Sequence, residues 1–497
     1  MALKGLARDV IARDTLARGA ATVRERLIYW GVDKMARKTY LICFLTLALG
    51  VVSLGQNRPV AAQNARTSPD FLSRSVIYQI WMRSFTPEGT LYATTTHLQH
   101  IADLGANIVY ISPVNVHGYP SVFGPSTPYE IKDYDAIDPE YGTEADLKAL
   151  VAQAHKLGLK VIMDIVYAHS ANDNVLLNKP GFYQRTPDGK LIMSRWRTPQ
   201  PDFKNPQVHE FFRNNMVHWV KDVGMDGFRA DVGGGVPTDF WEEARAALDK
   251  VDPNVVMLAE SDVPEHHLKA FDISYNFPYY SALTAVVVNG ESAERIRQQW
   301  EKARAAFPRG SFLLHLNDNH DRNRANVVFG EKAALATSVL NFTLDGIPLL
   351  YNGEEVGDST APQQQSHVAI RWDIWKPETQ RRTSIAGQQN AKLRVYKQII
   401  QMRKDEAALT SGDLTWVNNS NLDGVVSFIR KKGNEEILVL INLTNRITKI
   451  QVDVPAANYA EARDLLKNRA LPASLAPDKF SCQLGAFDYV VAKRVVK

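Results

Sequence analysis

The chain has 497 residues, 45% hydrophobic and 23% charged, ordinary globular values that exclude disorder, collagen or coiled coil as the dominant state. At roughly 150 residues per domain the length allows two or three domains. The formal charge of +4 does not point to nucleic acid, because residues 1–62 carry ten Lys or Arg against four Asp or Glu and the remainder carries 48 against 50.

The basic surplus belongs to a leader. Met35-Ala-Arg-Lys38, an apolar run from Tyr40 to Leu54 and Val60-Ala-Ala62 give the basic region, apolar core and small-residue cleavage site of a secretory signal. The run falls short of the ~20 apolar residues of a spanning helix, so a secreted or periplasmic protein without stable membrane insertion is expected. Residues 35–62 read as the signal and residues 1–34 as an over-extended start. Of the two cysteines, Cys43 lies in the apolar run and Cys482 reads as an inert core or strand residue, so no disulfide framework is available.

From about Asp70 short apolar runs alternate with helical periodicity. Val76–Ile80 and Ile108–Ile111 read as strands, with Leu98, Ile101, Ala102 and Ala106 on a helical spacing between them. Thr143 caps a predicted helix carrying Leu147, Leu150, Val151 and Ala154, which Gly158 ends before a third strand, Val161–Ile165. Asn205 and Pro206 open another helix as cap and first position, with Val208, Phe211, Phe212, Trp219 and Val220 facing inward. Gly224 stops it before Gly227–Asp231. Further strands are predicted at Val255–Leu258, Phe312–His315 and Gly346–Leu350. Repeated strand–helix units predict a parallel sheet. No Gly-rich phosphate loop follows any strand, and the span suits a (β/α)8 TIM barrel, an α/β fold. The polar stretch 168–206 reads as an insertion after the third strand. Beyond a helix through Leu393, Tyr396, Ile399 and Ile400, the period changes to that of strands. Val425–Ile429, a Lys431–Asn434 turn and Ile437–Ile441 predict a hairpin, and Tyr489–Val491 a closing strand. The expected division is a barrel over 63–407 and a C-terminal antiparallel β-sandwich domain over 408–497.

Asp164, Asp231, Glu260 and Asp321 are each predicted at or just past a strand's C-terminal end, where barrel enzymes build their sites. A lone strand-end acid more often caps a helix or pairs with arginine; four on one mouth suggest chemistry. Arg229 and Asp231 leave the same face of their strand, and the guanidinium should keep Asp231 ionised. Glu260 follows an apolar run whose desolvation should keep it protonated. One charged and one protonated carboxyl suit glycosidic cleavage.

Asp164-Ile-Val-Tyr-Ala-His169, Gly227-Phe-Arg-Ala-Asp231, Glu260 after Met257-Leu-Ala259, and Asn319-His-Asp321 resemble, in order and spacing, the four signature regions of the α-amylase family, glycoside hydrolase family 13. Gln200–Pro206, the segment Gly346–Glu355 and Tyr129–Tyr134 resemble further elements of that family. The resemblance implies Asp231 as nucleophile, Glu260 as general acid and base, and Asp321 as the third acid. It also implies Tyr129, His169, Arg229 and His320 as residues that bind or orient the sugar, Tyr129 by stacking, and with them Asp164, which supports the site from the third strand. It implies no required cofactor, and calcium is doubtful, because Ala168 stands where many members carry a ligating Asn. Val232-Gly-Gly-Gly235 stands where many carry Lys-His, and Glu130 where the oligosaccharide-acting branch often has Asp.

The expected activity is retaining hydrolysis of α-glucosidic bonds, mainly α-1,4, in starch, maltodextrins or related α-glucans. The alternatives are an α-glucan transglycosylase or isomerase of the same family, and a non-catalytic, membrane-tethered heavy-chain protein. The adjacent Glu354 and Glu355 read as structural, since neighbours after a strand point in different directions. Trp372 and Trp375 could line a cleft or close the barrel.

Overall fold

The computed structural model describes residues 59–118, 127–361, 364, 367–377, 379, 384–455, 459, 462–471 and 479–495. The signal's basic and apolar segments, Cys43 and the start of the chain lie outside them.

Eight parallel strands close into a barrel: β1 (Ile77–Ile80), β2 (Ile108–Ile111), β3 (Lys160–Ile165), β4 (Gly227–Ala230), β5 (Val256–Ala259), β6 (Ile273–Tyr275), β7 (Phe312–His315) and β8 (Ile347–Tyr351). Each pairs with its neighbours in chain order and β8 returns to β1. Strands covered on both faces read as continuous apolar runs rather than alternations, which is why seven of the eight are visible in the sequence. β6 escapes because it has three residues, too few to show a period; its neighbours hold it through the pairs Leu258 with Ile273 and Ser274 with Leu313.

The helices form for the reasons their termini announce. α1 (Leu91–Leu104) is capped by Thr90 Oγ1, which accepts from Ala93 N at 3.2 Å, and Gly105 ends it in the left-handed region at φ 100°. Ala106, expected on this helix, therefore lies beyond it, buried before β2. α2 (Glu144–Lys156) begins with a reciprocal capping box between Thr143 and Asp146. α3 (Pro206–His218) has Asn205 as cap and Pro206 in the first turn, then widens into a π-helical turn, Trp219–Val223, before Gly224. Gly227 opens β4 at φ 153° because a Cβ there would collide with the Val256 carbonyl oxygen.

The insertion after β3 has no regular strand; isolated bridges join Tyr183 to Pro201, Arg185 to Leu191 and Met193 to Pro199. The C-terminal part is an antiparallel six-stranded sheet with a separate two-stranded ribbon. Its central hairpin runs further than its apolar residues suggest, over Val425–Lys432 and Glu435–Asn442. Lys431 pairs with Glu436 and Lys432 with Glu435, so opposite charges extend the ladder past its apolar part. Arg430, buried in this hairpin, donates to the Thr343 carbonyl at 2.7 Å and fastens the sheet to the barrel. Cys482 is a buried, free thiol on the strand Phe480–Leu484, and burial pushes it up to about 12, so the inert reading holds. Glu354 and Glu355 are both buried: Tyr396 donates to the first at 3.0 Å and Tyr78 to the second at 2.6 Å. They are structural and point apart, as expected. Trp372 and Trp375 stack on each other at 4.2 Å and pack on Phe85 and His100.

Buried histidines, His267 and His315 among them, make stability pH-dependent. Burial lowers His267 to about 3 and His315 to about 4, whereas an unfolded chain binds the proton near 6.5. Their contribution is therefore present above about pH 6.5 and lost as pH falls through the range toward 4. At pH 5 the loss is about 2 kcal/mol for each. Tm should be several degrees lower at pH 5 than at pH 7, and a His267→Gln, His315→Gln double variant should show a smaller drop. Equal drops in parent and variant would remove these histidines as the cause.

Candidate active site

The site stands on the C-terminal ends of β3, β4 and β5, where register does the positioning. Asp164 on β3 lies opposite Arg229 on β4, and Ala230 opposite Ala259 on β5. The ladder continues one step beyond the strands, Asp231 N donating to the Ile165 carbonyl at 2.9 Å and Glu260 N to the Ala230 carbonyl at 3.0 Å. Asp231 and Glu260 thus emerge side by side.

One guanidinium joins them. Arg229 is fully buried; its Nη1 donates to Asp164 Oδ1 at 2.9 Å and to Asp231 Oδ1 at 2.7 Å, and its Nη2 lies 3.2 Å from Glu260 Oε2. Tyr275 lies beneath the same group, 5.4 Å from guanidinium carbon to ring centroid. Asp164 is equally sealed, accepting from the hydroxyls of Tyr110 at 2.6 Å and Tyr129 at 2.8 Å. Burial pushes Asp164 up to about 7 although Arg229 pulls against it. Neither Asp164 nor Arg229 lines the cleft. Arg229, expected at the sugar, and Asp164, expected to support the site from the third strand, both lie a layer below the cleft because they sit within the strands, and they hold the residues above.

The two carboxyls that line the cleft are driven apart. Burial would raise Asp231, but the His169 ring, with Nε2 3.5 Å from Oδ2, and the Arg229 charge outweigh it and hold the carboxyl below the usual range. Burial raises Glu260, and the neighbouring Asp231 charge adds to this against the pull of Arg229. Glu260 Oε2 accepts from Val232 N at 2.8 Å. To present that N–H, Val232 adopts φ 45°, a left-handed conformation costly for a β-branched residue.

Asp321 lies six residues past the end of β7, whose bounds are those expected, and is the farthest of the four acids from its strand. A loop through Asn319 carries it back: Asp321 N donates to Asn319 Oδ1 at 3.0 Å, and Gln364 Nε2 donates to Asp321 Oδ1 at 2.7 Å. His320 is stacked on Trp81 at 5.1 Å and 4° and beside Tyr129 at 5.3 Å and 19°. Its Nε2 is 2.7 Å from the Tyr129 hydroxyl and its Nδ1 2.7 Å from Gln79 Nε2. Burial lowers it to about 4, so the ring is neutral.

Asp231, Glu260, Asp321, Tyr129, His169 and His320 all line one open cleft of about 850 Å³. Gln79 and Trp81, which underpin His320, escape sequence reasoning. Their trace is a polar residue inside the apolar run of β1, at its C-terminal end. Trp196, an aromatic in a polar insertion, also lines the cleft.

The position that would supply a calcium ligand is residue 168. Ala168 offers a methyl group, which cannot coordinate a hard cation. Among the described residues, His117, Asp138 and Glu140 bring ligand atoms near one another. There Arg83 already donates to both oxygens of Glu140, at 2.6 and 2.9 Å, and its Nη2 lies 3.1 Å from His117 Nε2. The Arg83 guanidinium thus already supplies positive charge to this group.

The family model "Alpha amylase, catalytic domain" matches residues 61–188 and 190–380. A cyclomaltodextrinase of Bacillus sp is 26% identical over 428 residues, covering 75% of this chain and 73% of that protein. Alpha-amylase 2 of Dictyoglomus thermophilum is 26% identical, covering 76% and 71%. Among solved structures, a maltogenic alpha-amylase from Thermotoga neapolitana superposes with a TM-score of 0.75 at 24% identity, covering 86% of this chain and 100% of that one. An alpha-amylase from Lactobacillus plantarum gives 0.71 at 25% identity, covering 85% and 99%.

Proposed function

The chain belongs to the alpha-amylase family and is a glycoside hydrolase of that family, and from this premise we propose that it hydrolyses α-1,4 bonds of maltooligosaccharides and related α-glucans with retention at the anomeric carbon. One observation carries the reading: a single guanidinium, Arg229, touches both Asp231 and Glu260, whose environments shift them in opposite directions. Carboxyls within reach of one planar group flank one small space, which supports a retaining pair with its ~5–5.5 Å spacing.

Asp231 attacks the anomeric carbon while Glu260 gives its proton to the departing glycosidic oxygen. The sugar becomes an ester of Asp231. Glu260, now a carboxylate, takes a proton from water, whose oxygen attacks the same carbon and releases Asp231. Asp321, held by Gln364, is placed to hold the sugar's hydroxyls, and neutral His320 and Tyr129 form the wall beside it. Gly234 and Gly235 leave the cleft floor without side chains, which supports acceptance of varied or cyclic glucans. Cyclomaltodextrinase and neopullulanase are names among the relatives, and none of the relatives compared favours transfer over hydrolysis.

Incubation with maltoheptaose, a cyclomaltodextrin, pullulan and starch, followed by proton NMR, should show α-anomers as first-formed products. A β-anomer formed first, or no cleavage of any of these, would overturn the proposal. We further propose that no divalent cation is needed, because the residues at 168 and around Arg83 do not suit one. Chelator should leave both kcat and Tm unchanged; a loss of either that added calcium restores would contradict this.

A further inference from the structure

The insertion carries Trp196 at a turn outside every motif described above. The turn is tightly tied: Ser194 N donates to the Thr198 carbonyl at 2.8 Å and Arg197 N to the Ser194 carbonyl at 3.0 Å, while the Ser194 and Thr198 hydroxyls lie 2.6 Å apart. Arg197 closes it in the left-handed region at φ 58°. Its base is anchored beside the catalytic groups, since Ser170 N, next to His169, donates to the Pro199 carbonyl at 3.0 Å. The backbone that carries Trp196 is therefore tied to the segment of His169.

Its surroundings suit a sugar. Trp196 is 38% exposed, and it lines the same cleft as Asp231 and Glu260. One contact is the His169 ring, 5.1 Å away, the ring whose Nε2 faces Asp231. Another is the Arg195 guanidinium, 4.1 Å from the indole centroid, which pins the indole by cation–π attraction and leaves its own donors free to reach hydroxyls. A pyranose presents a face of C–H groups flanked by hydroxyls. An indole held at a cleft wall with a guanidinium beside it matches that pattern: the ring receives the C–H face and the arginine the hydroxyls.

We infer that Trp196, with Arg195, is the platform for the glucosyl unit next to the one attacked at Asp231, and so sets the preference for chain length. This rests on the α-glucan reading of the cleft. A Trp196→Ala variant should raise KM for maltoheptaose roughly five- to tenfold with a much smaller change in kcat, and Trp196→Phe should restore most of the loss. Tm of both should match the parent, since the side chain is exposed. A parent inactive on every maltooligosaccharide would remove the α-glucan reading itself. A parent that is active, with Trp196→Ala at parental KM or Trp196→Phe as impaired as Trp196→Ala, would overturn the platform alone.

Discussion

Asp231→Asn should lower kcat on maltooligosaccharides by at least ~10⁴-fold, a loss of the size found when a nucleophile that forms a covalent intermediate is removed. That is about 5.5 kcal/mol of barrier. The amide keeps the volume of the side chain and an oxygen that can accept from Arg229 Nη1, the bond of 2.7 Å in the parent, so the layer of Asp164 and Arg229 below it stays assembled. Tm should therefore change little, and binding of maltoheptaose, measured by calorimetry, should survive. What is lost is the negative charge that attacks the anomeric carbon. The sign of the pH dependence follows from the same environment. Asp231 acts when ionised, and its carboxyl is held below the ordinary range, so kcat/KM of the parent should persist into acid beyond the titration of an ordinary aspartate. An Asp231→Asn variant that keeps a tenth or more of parental activity would take the nucleophile's role from this residue.

This part of the site is legible in the sequence because strand geometry is simple. A period of two places Arg229 and Asp231 on one face, and apolar runs ending in acids mark the mouth. Depth is not legible: Asp164 carries the same chemistry as Asp231, yet two residues of rise separate a group sealed in the barrel from one that lines the cleft. Asp321 shows a second limit, since its position depends on a loop whose course is set by Asn319 and Gln364, 43 residues apart in the latter contact. The aromatic stack of Trp81, Tyr129 and His320 joins three segments that no local pattern connects. β6 is hidden for the opposite reason: it is local but too short for periodicity, and only its two neighbours define it.

Glu260→Gln separates the two halves of the reaction. Glutamine retains an oxygen to accept from Val232 N, so the strained backbone at φ 45° keeps its partner and the change is confined to proton transfer. Loss of a positioned acid and base costs ~10²–10⁴-fold, and here both steps need it. On maltooligosaccharides, whose leaving group must be protonated, kcat should fall by that range. With an α-glucosyl fluoride the leaving group departs without a proton, so the first step survives and the Asp231 ester accumulates, visible as a burst of fluoride and as an added mass on the intact protein. Azide, a nucleophile that needs no base, should then restore turnover and yield a glycosyl azide of the substrate's anomeric configuration. The alkaline limb of the parent's kcat/KM profile belongs to Glu260 acting as an acid, and because burial raises its carboxyl that limb should lie above the ordinary glutamate range; it should vanish in the variant acting on the fluoride. Equal losses on fluoride and maltooligosaccharide, with no ester and no rescue, would mean that Glu260 serves the fold of the site rather than the proton.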